Sequence, residues 1–148
     1  MQRRTLFMAM TAGMATAGMA LAEAINSAGG AAIQGFDPVA YFTRGAPTRG
    51  NPAITTRWNG VEWRFASEAH RAAFIAEPAR YAPAFGGFCA YAVSEGYTAT
   101  IDPRAWRIEG GRLYLNYSAA IQRRWEQDIP GRIARGEANW PRVSEAAQ

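Results

Sequence analysis

The run ITTRW-NG-VEWRF, residues 54–65, sets Asn59–Gly60 between two β-prone segments. Asn-Gly is a strong hairpin signal, because the tight two-residue turn needs positive φ at both central positions. Ser67 then offers a helix N-cap, and EAHRAAFIA carries strong helix formers. That helix is expected to stop at Glu77–Pro78, since a residue before proline avoids helical backbone. The same order returns downstream. AWRIE and RLYLNY flank Gly110–Gly111, and Ser118 precedes the helical run AAIQRRWEQD, with Pro130–Gly131 expected to end it. Gly60 and Gly111, Trp63 and Tyr114, Ser67 and Ser118, and Phe74 and Trp125 are each separated by 51 positions. Either an old duplication or chance agreement of two short units accounts for this.

The expected fold is therefore α+β: a small single domain of two β-hairpin-plus-helix units with a short C-terminal helix. Gly35 and Asp37–Pro38 mark a turn, VAYF is one short strand or one helical turn, and 44–52 is loop. GRIARGEANW reads as the final helix, with Trp140 anchoring it before Pro141. On this reading residues 1–22 are a signal peptide, 23–32 a flexible leader, 33–141 the folded domain and 142–148 a disordered tail. The signal-peptide reading rests on Arg3–Arg4, the apolar run LFMAMTAGMATAGMALA and the small-x-small site Ala20-Leu21-Ala22. Arg3–Arg4 before Thr5-Leu6-Phe7 resembles a twin-arginine signal. Export to the periplasm is expected, with no stable membrane span after cleavage, because Thr11, Gly13, Thr16 and Gly18 dilute the run.

Composition then narrows the chemistry. Five Trp, six Tyr and seven Phe can build a core without disulfides, which a single cysteine rules out within one chain. Subtracting Arg3 and Arg4 from sixteen basic residues leaves fourteen against twelve acids, a net charge of +2. With no long basic run, nucleic-acid binding is not expected. All five Met lie in the expected signal peptide, so the remaining chain has no Met, one Cys and one His. That excludes a thioether copper site and any one-chain Cys₂His₂ or Cys₄ zinc site.

Three residues remain as candidates. Cys89 lies in APAFGGFCAYAVSEG, behind Gly86–Gly87 and among aromatics. It is a small buried hydrophobe, a ligand, a reactive group or half of an intermolecular bridge, and an unpaired thiol in an oxidising compartment needs shielding or binding. His70 aligns with Ile121 in the repeat and shares a helix face with Phe74, so it is expected to be at least partly buried. It is either a satisfied core side chain or a ligand. Asp37 is either a local turn residue or a carboxylate facing the thiol. A Cys-His pair is the minimum for thiol catalysis. With no recognisable orienting residue, an enzyme is not the favoured reading.

The stretches AIQGFDPVAYF, WNGVEWRFAS, EPARYAPAFGGFCAYAVSEG and DPRAWRIEGGRLYLNY, with the Trp125 and Trp140 segments, resemble the exported branch of the YHS-domain proteins. The resemblance spans residues 32–141. The Tyr-His-Ser motif itself is absent. Related domains occur in heavy-metal transport ATPases and in bacterial multicomponent hydroxylases, which implies a metal-associated role. In that branch the helix start resembles Phe-Cys-Ser-x-x-Cys; here it reads Phe65-Ala66-Ser67-Glu68-Ala69-His70. Ala66 cannot ligate, whereas His70 can. The leading expectation is a domain that binds or senses a soft transition metal through Cys89 and His70. Copper(I) suits that pair alone; zinc or nickel would need Asp37, water or the second subunit of a dimer. The alternative is a non-catalytic module for a protein partner or an apolar ligand, with Cys89 a structural thiol.

Overall fold

The computed structural model describes residues 22–148, so the expected signal peptide, but for Ala22, lies outside the described residues. The chain opens with a tight 3-10 turn at Ala32–Gly35. It continues through α1 (Pro38–Thr43), β1 (Asn51–Trp58), β2 (Val61–Phe65) and α2 (Glu68–Ala76). After the short α3 (Pro78–Tyr81) a second 3-10 turn spans Ala84–Gly87. Then come α4 (Ala90–Glu95), β3 (Asp102–Glu109), β4 (Arg112–Asn116), α5 (Ala119–Glu126) and α6 (Ile129–Ala146). The α+β fold is as expected, with two separate two-stranded antiparallel sheets.

Both hairpins turn where the glycines predict. Asn59 and Gly60 have φ of 49° and 74°, and Gly110 and Gly111 have φ of 58° and 79°. Ser67 accepts from the His70 N–H, and Ser118 accepts from the Ile121 N–H, so each cap satisfies a donor the helix itself cannot. Trp58 and Trp63 meet edge to face with ring centroids 5.8 Å apart. VAYF is helical, because the Asp37 side chain caps it and Pro38 takes the first turn, where a missing N–H costs nothing.

The repeated design reaches back beyond the hairpins. Ile33, Gln34 and Gly35 have φ of 44°, 59° and 79°; Phe85, Gly86 and Gly87 have 57°, 62° and 79°. Three consecutive left-handed residues thus precede α1 in one unit and α4 in the other. Here the spacing is 52, and Asp37 and Cys89 become equivalent N-cap positions. Both hairpins also carry an irregularity at matching places, between Asn51 and Thr55 and between Asp102 and Trp106. The two left-handed turns touch: a Cβ on Gly87 would lie 2.5 Å from Ile33 Cγ2.

One core cluster joins the units, with Val39, Trp63, Phe65 and Phe74 from the first against Cys89, Ala92, Leu113 and Leu115 from the second; another, within the second unit and the chain ends, gathers Phe85, Val93, Tyr114, Trp125, Trp140 and Val143. Tyr41 crosses between them, donating to the Pro103 carbonyl at 2.7 Å and packing on Trp106.

Three boundaries differ from expectation. The supposed leader is packed: Ala24 and Asn26 are buried, the Asn26 N–H donates to Gly86 O, and the Ala24 N–H donates to Ser144 Oγ. Small residues suit this course, because they let the backbone pass close to the second turn. The supposed tail is the end of α6, with Val143 and Ser144 buried. Pro141 does not end the helix, since burial of Trp140 and Val143 on one face outweighs one lost backbone bond. Pro130 likewise begins α6 behind its cap Asp128 and does not merely stop α5.

Candidate functional site

The pseudo-repeat makes two related sites, each where the N-cap of one helix faces the first turn of another. In the first unit Asp37 is fully buried. Its Oδ1 accepts from the N–H groups of Val39 and Ala40 at 2.8 and 3.2 Å. Its Oδ2 accepts from the Ala66 N–H at 2.8 Å and lies 2.6 Å from His70 Nδ1. A carboxylate only accepts, so Nδ1 carries the proton and donates. The other ring nitrogen, Nε2, lies 3.1 Å from Thr43 Oγ1. His70 is partly buried, as its alignment with Ile121 predicts.

In the second unit Cys89 takes the place of Asp37. Its Sγ accepts from the Tyr117 N–H at 3.3 Å, matching the bond from Ala66 to Asp37. The thiol approaches Asn116 Oδ1 at 3.6 Å, and that oxygen also accepts from the Tyr91 N–H. Asn116 Nδ2 is buried and has no partner among the described residues. Cys89 is 1% exposed, and burial pushes its thiol pKa up, against the lowering effect of backbone N–H groups including that of Tyr117. It is thus held as the neutral thiol at neutral pH, a poor nucleophile and a poor ligand.

Ile121 stands where the first unit has His70, and it cannot reach the cap as the imidazole does. A pocket of about 220 Å³ remains there, lined by Cys89, Tyr91, Ala92, Tyr97, Ala99, Tyr117 and Ile121. Cys89 forms part of its floor but exposes almost no surface into it. Tyr97 and Tyr117 are each more than half exposed at the rim. The wall is braced from α6: the Arg132 guanidinium sits 4.2 Å above the Tyr91 ring and pairs with Glu95. Asn139 Nδ2 donates to the carbonyls of Val93 and Ser94 at the end of α4.

Of the three nominated residues, the structure brings Asp37 and His70 together and sets Cys89 at the equivalent position of the other unit. Among the described residues no group of three or more His, Cys, Asp and Glu side chains is arranged to hold a metal ion. Asp37 is engaged by four donors: two lie in its own turn, as the turn-residue reading expects, and one is His70, which it supports. Thr43, Asn116 and Ile121 were missed as site residues. The signal was present in AIQGFDPVAYF against AFGGFCAYAVS, where Ala, Gly, Phe and Ala recur at a spacing of 52 and Asp37 aligns with Cys89.

Comparison with family models, with curated proteins and with solved structures gave no match.

Proposed function

We propose that the second unit of this chain is a binding module whose site is the apolar pocket over Cys89. One observation carries the reading: the second unit keeps the backbone frame of the first but leaves open the space that the imidazole occupies there. The volume indicates the ligand class. An apolar cavity of about 150 Å³ takes benzene, and drug-sized ligands need roughly 300 Å³ or more. At about 220 Å³ the pocket suits one aromatic or branched aliphatic ring system, held between Tyr97 and Tyr117 over a floor of alanines. Tyrosines at a rim favour such ligands, since they offer apolar faces with wet hydroxyls. With residues 1–22 read as an export signal, and the resemblance to exported YHS-domain proteins adopted, the module acts in the periplasm. No helix among the described residues is long and apolar enough to cross a membrane.

The soft-metal reading is the weaker proposal. The raised pKa of Cys89 opposes thiolate formation, and the four donors on Asp37 leave that carboxylate no free lone pair facing a vacancy.

The test is titration with one-ring probes, indole and p-cresol, followed by methyl and amide NMR. Shifts confined to Ala92, Ala99, Ile121 and Tyr117, and abolished in a folded Ile121→Phe variant, are expected. Perturbations elsewhere, or none at millimolar probe, overturn the reading. An anaerobic Cu(I) titration that Cys89→Ser abolishes would restore the metal proposal.

A further inference from the structure

The His70 site does not belong to that pocket, and its geometry has a separate consequence. We propose that Asp37, His70 and Thr43 form a proton relay that activates the Thr43 hydroxyl for acyl transfer from activated esters. The three side chains run from the interior to the surface. Asp37 is buried and fixed by three backbone N–H groups. His70 is held from both sides, by Asp37 at Nδ1 and by the Ser67 cap on its own N–H. Thr43, at the end of α1, is exposed.

The polarity of the chain follows from the donors. Asp37 fixes the proton on Nδ1, so in the neutral ring Nε2 is an acceptor. The Thr43 hydroxyl lies 3.1 Å away and reaches Nε2 as a donor when its proton turns from the Val39 carbonyl. That hydroxyl has one proton and two acceptors in reach, Nε2 and the Val39 carbonyl at 3.2 Å. A carboxylate, an imidazole and an alcohol joined in this order define the general-base arrangement that makes a hydroxyl nucleophilic.

The molecule supplies its own control against a purely structural role. At a spacing of 52 for the cap helix and 51 for the following one, the second unit has Cys89, Ile121 and Glu95 in the three places. It nevertheless builds the same turn, cap helix, hairpin and capped helix. The frame therefore folds without the relay.

In the proposed step Thr43 Oγ1 bonds to the acyl carbon and its proton passes to His70 Nε2. The bond from the acyl carbon to the leaving oxygen breaks, and the proton moves from Nε2 to that oxygen. Water then attacks the acyl-threonine carbon, giving its proton to Nε2, which returns it to Thr43 Oγ1 as the carboxylic acid leaves. The net reaction is ester plus water to acid plus alcohol.

The absence of lysine makes the test clean, because the commonest sites of background acylation are missing. The full chain is incubated with p-nitrophenyl acetate; nitrophenolate release is followed by absorbance and the acetyl group located by peptide mass mapping. Acetylation at position 43 is expected, retained in Thr43→Ser and lost in Thr43→Val. General-base assistance is worth about 10²–10⁴-fold, so His70→Ala should slow acylation at Thr43 by about a hundredfold or more. Added imidazole should restore part of that rate, which no structural role of the ring predicts. Thermal melts report whether each variant is folded, and Thr43→Val tests the assignment without disturbing the Asp37–His70 pair. Acetylation only elsewhere, or Thr43 acylated equally fast in folded His70→Ala, overturns the relay. Neither result bears on ligand binding at the Cys89 pocket.

Discussion

Asp37 and Cys89 hold one structural position in two units and meet it with different chemistry. The carboxylate accepts from three backbone N–H groups and one imidazole, whereas the thiol accepts from a single N–H. Removing Asp37 therefore strands more donors. Asp37→Ala is expected to cost about 3 kcal/mol, from a lost cap worth ~1 and buried donors worth ~1–3. Cys89→Ala, which leaves one N–H unpaired, should cost about 1–2 kcal/mol. Urea denaturation of both variants gives the order directly. The same burial sets a pH dependence. The Cys89 thiol is raised from 9.0 by desolvation, and the Tyr41 phenol is raised well above 10.0, mainly by burial and further by Asp102. In the unfolded chain both groups ionise at ordinary values; in the folded chain they stay protonated. The unfolded state therefore binds fewer protons above pH 9, and stability falls as pH rises. Melting temperature should decline from about pH 9 upward. Cys89→Ser should flatten the first part of the decline, and Tyr41→Phe the part beginning near pH 10. A wild-type profile flat to pH 11 would contradict the burial of both groups.

At the scale of elements, the paired left-handed turns and the closing helix carry the risk. Gly87 has φ of 79°, and an added Cβ would overlap Ile33 of the other turn. Gly87→Ala combines left-handed backbone, at about 1–2 kcal/mol, with overpacking at about 1–3. A loss of roughly 2–4 kcal/mol is expected, against much less for Gly60→Ala, where a Cβ meets only open space and the positive φ alone is strained. Helix α6 gives the second test. Deleting residues 142–148 removes buried Val143 and the Ser144 hydroxyl that accepts from Ala24. Burial of a valine at about 1.5–3 kcal/mol and one hydrogen bond at about 1 predict a loss near 3 kcal/mol by denaturant melt. A disordered tail would predict no change.

For the whole molecule, the shared core makes the two units one cooperative body. Trp63 lies in the first unit and Trp125 in the second, both with no exposed surface. Single-Trp variants retaining one or the other are expected to unfold with coincident midpoints, because β4 puts Leu113 and Leu115 into the cluster around Trp63 and Tyr114 into the cluster around Trp125, so neither cluster is lost alone. Separate midpoints would mean two independent halves. Hairpins, capped helices and the inward face of α2 were legible in the chain because each depends on local chemistry: positive φ at Asn59–Gly60 and Gly110–Gly111, serine caps, and apolar spacing of four. The 3-10 turns were not, since Ile33 and Phe85 adopt left-handed backbone that no local preference favours and that only packing between the turns sustains.

The amino-acid order by itself determined the repeated hairpin-and-helix design, the absence of a one-chain disulfide, and the short list Asp37, His70 and Cys89. Which members of that list meet was decided in three dimensions. A one-residue change in spacing, from 52 before the hairpins to 51 within them, aligns Asp37 with Cys89 across the pseudo-repeat and thus keeps them in separate sites. Side-chain reach did the rest: an imidazole spans the gap to its cap in one unit, and an isoleucine leaves that gap open in the other.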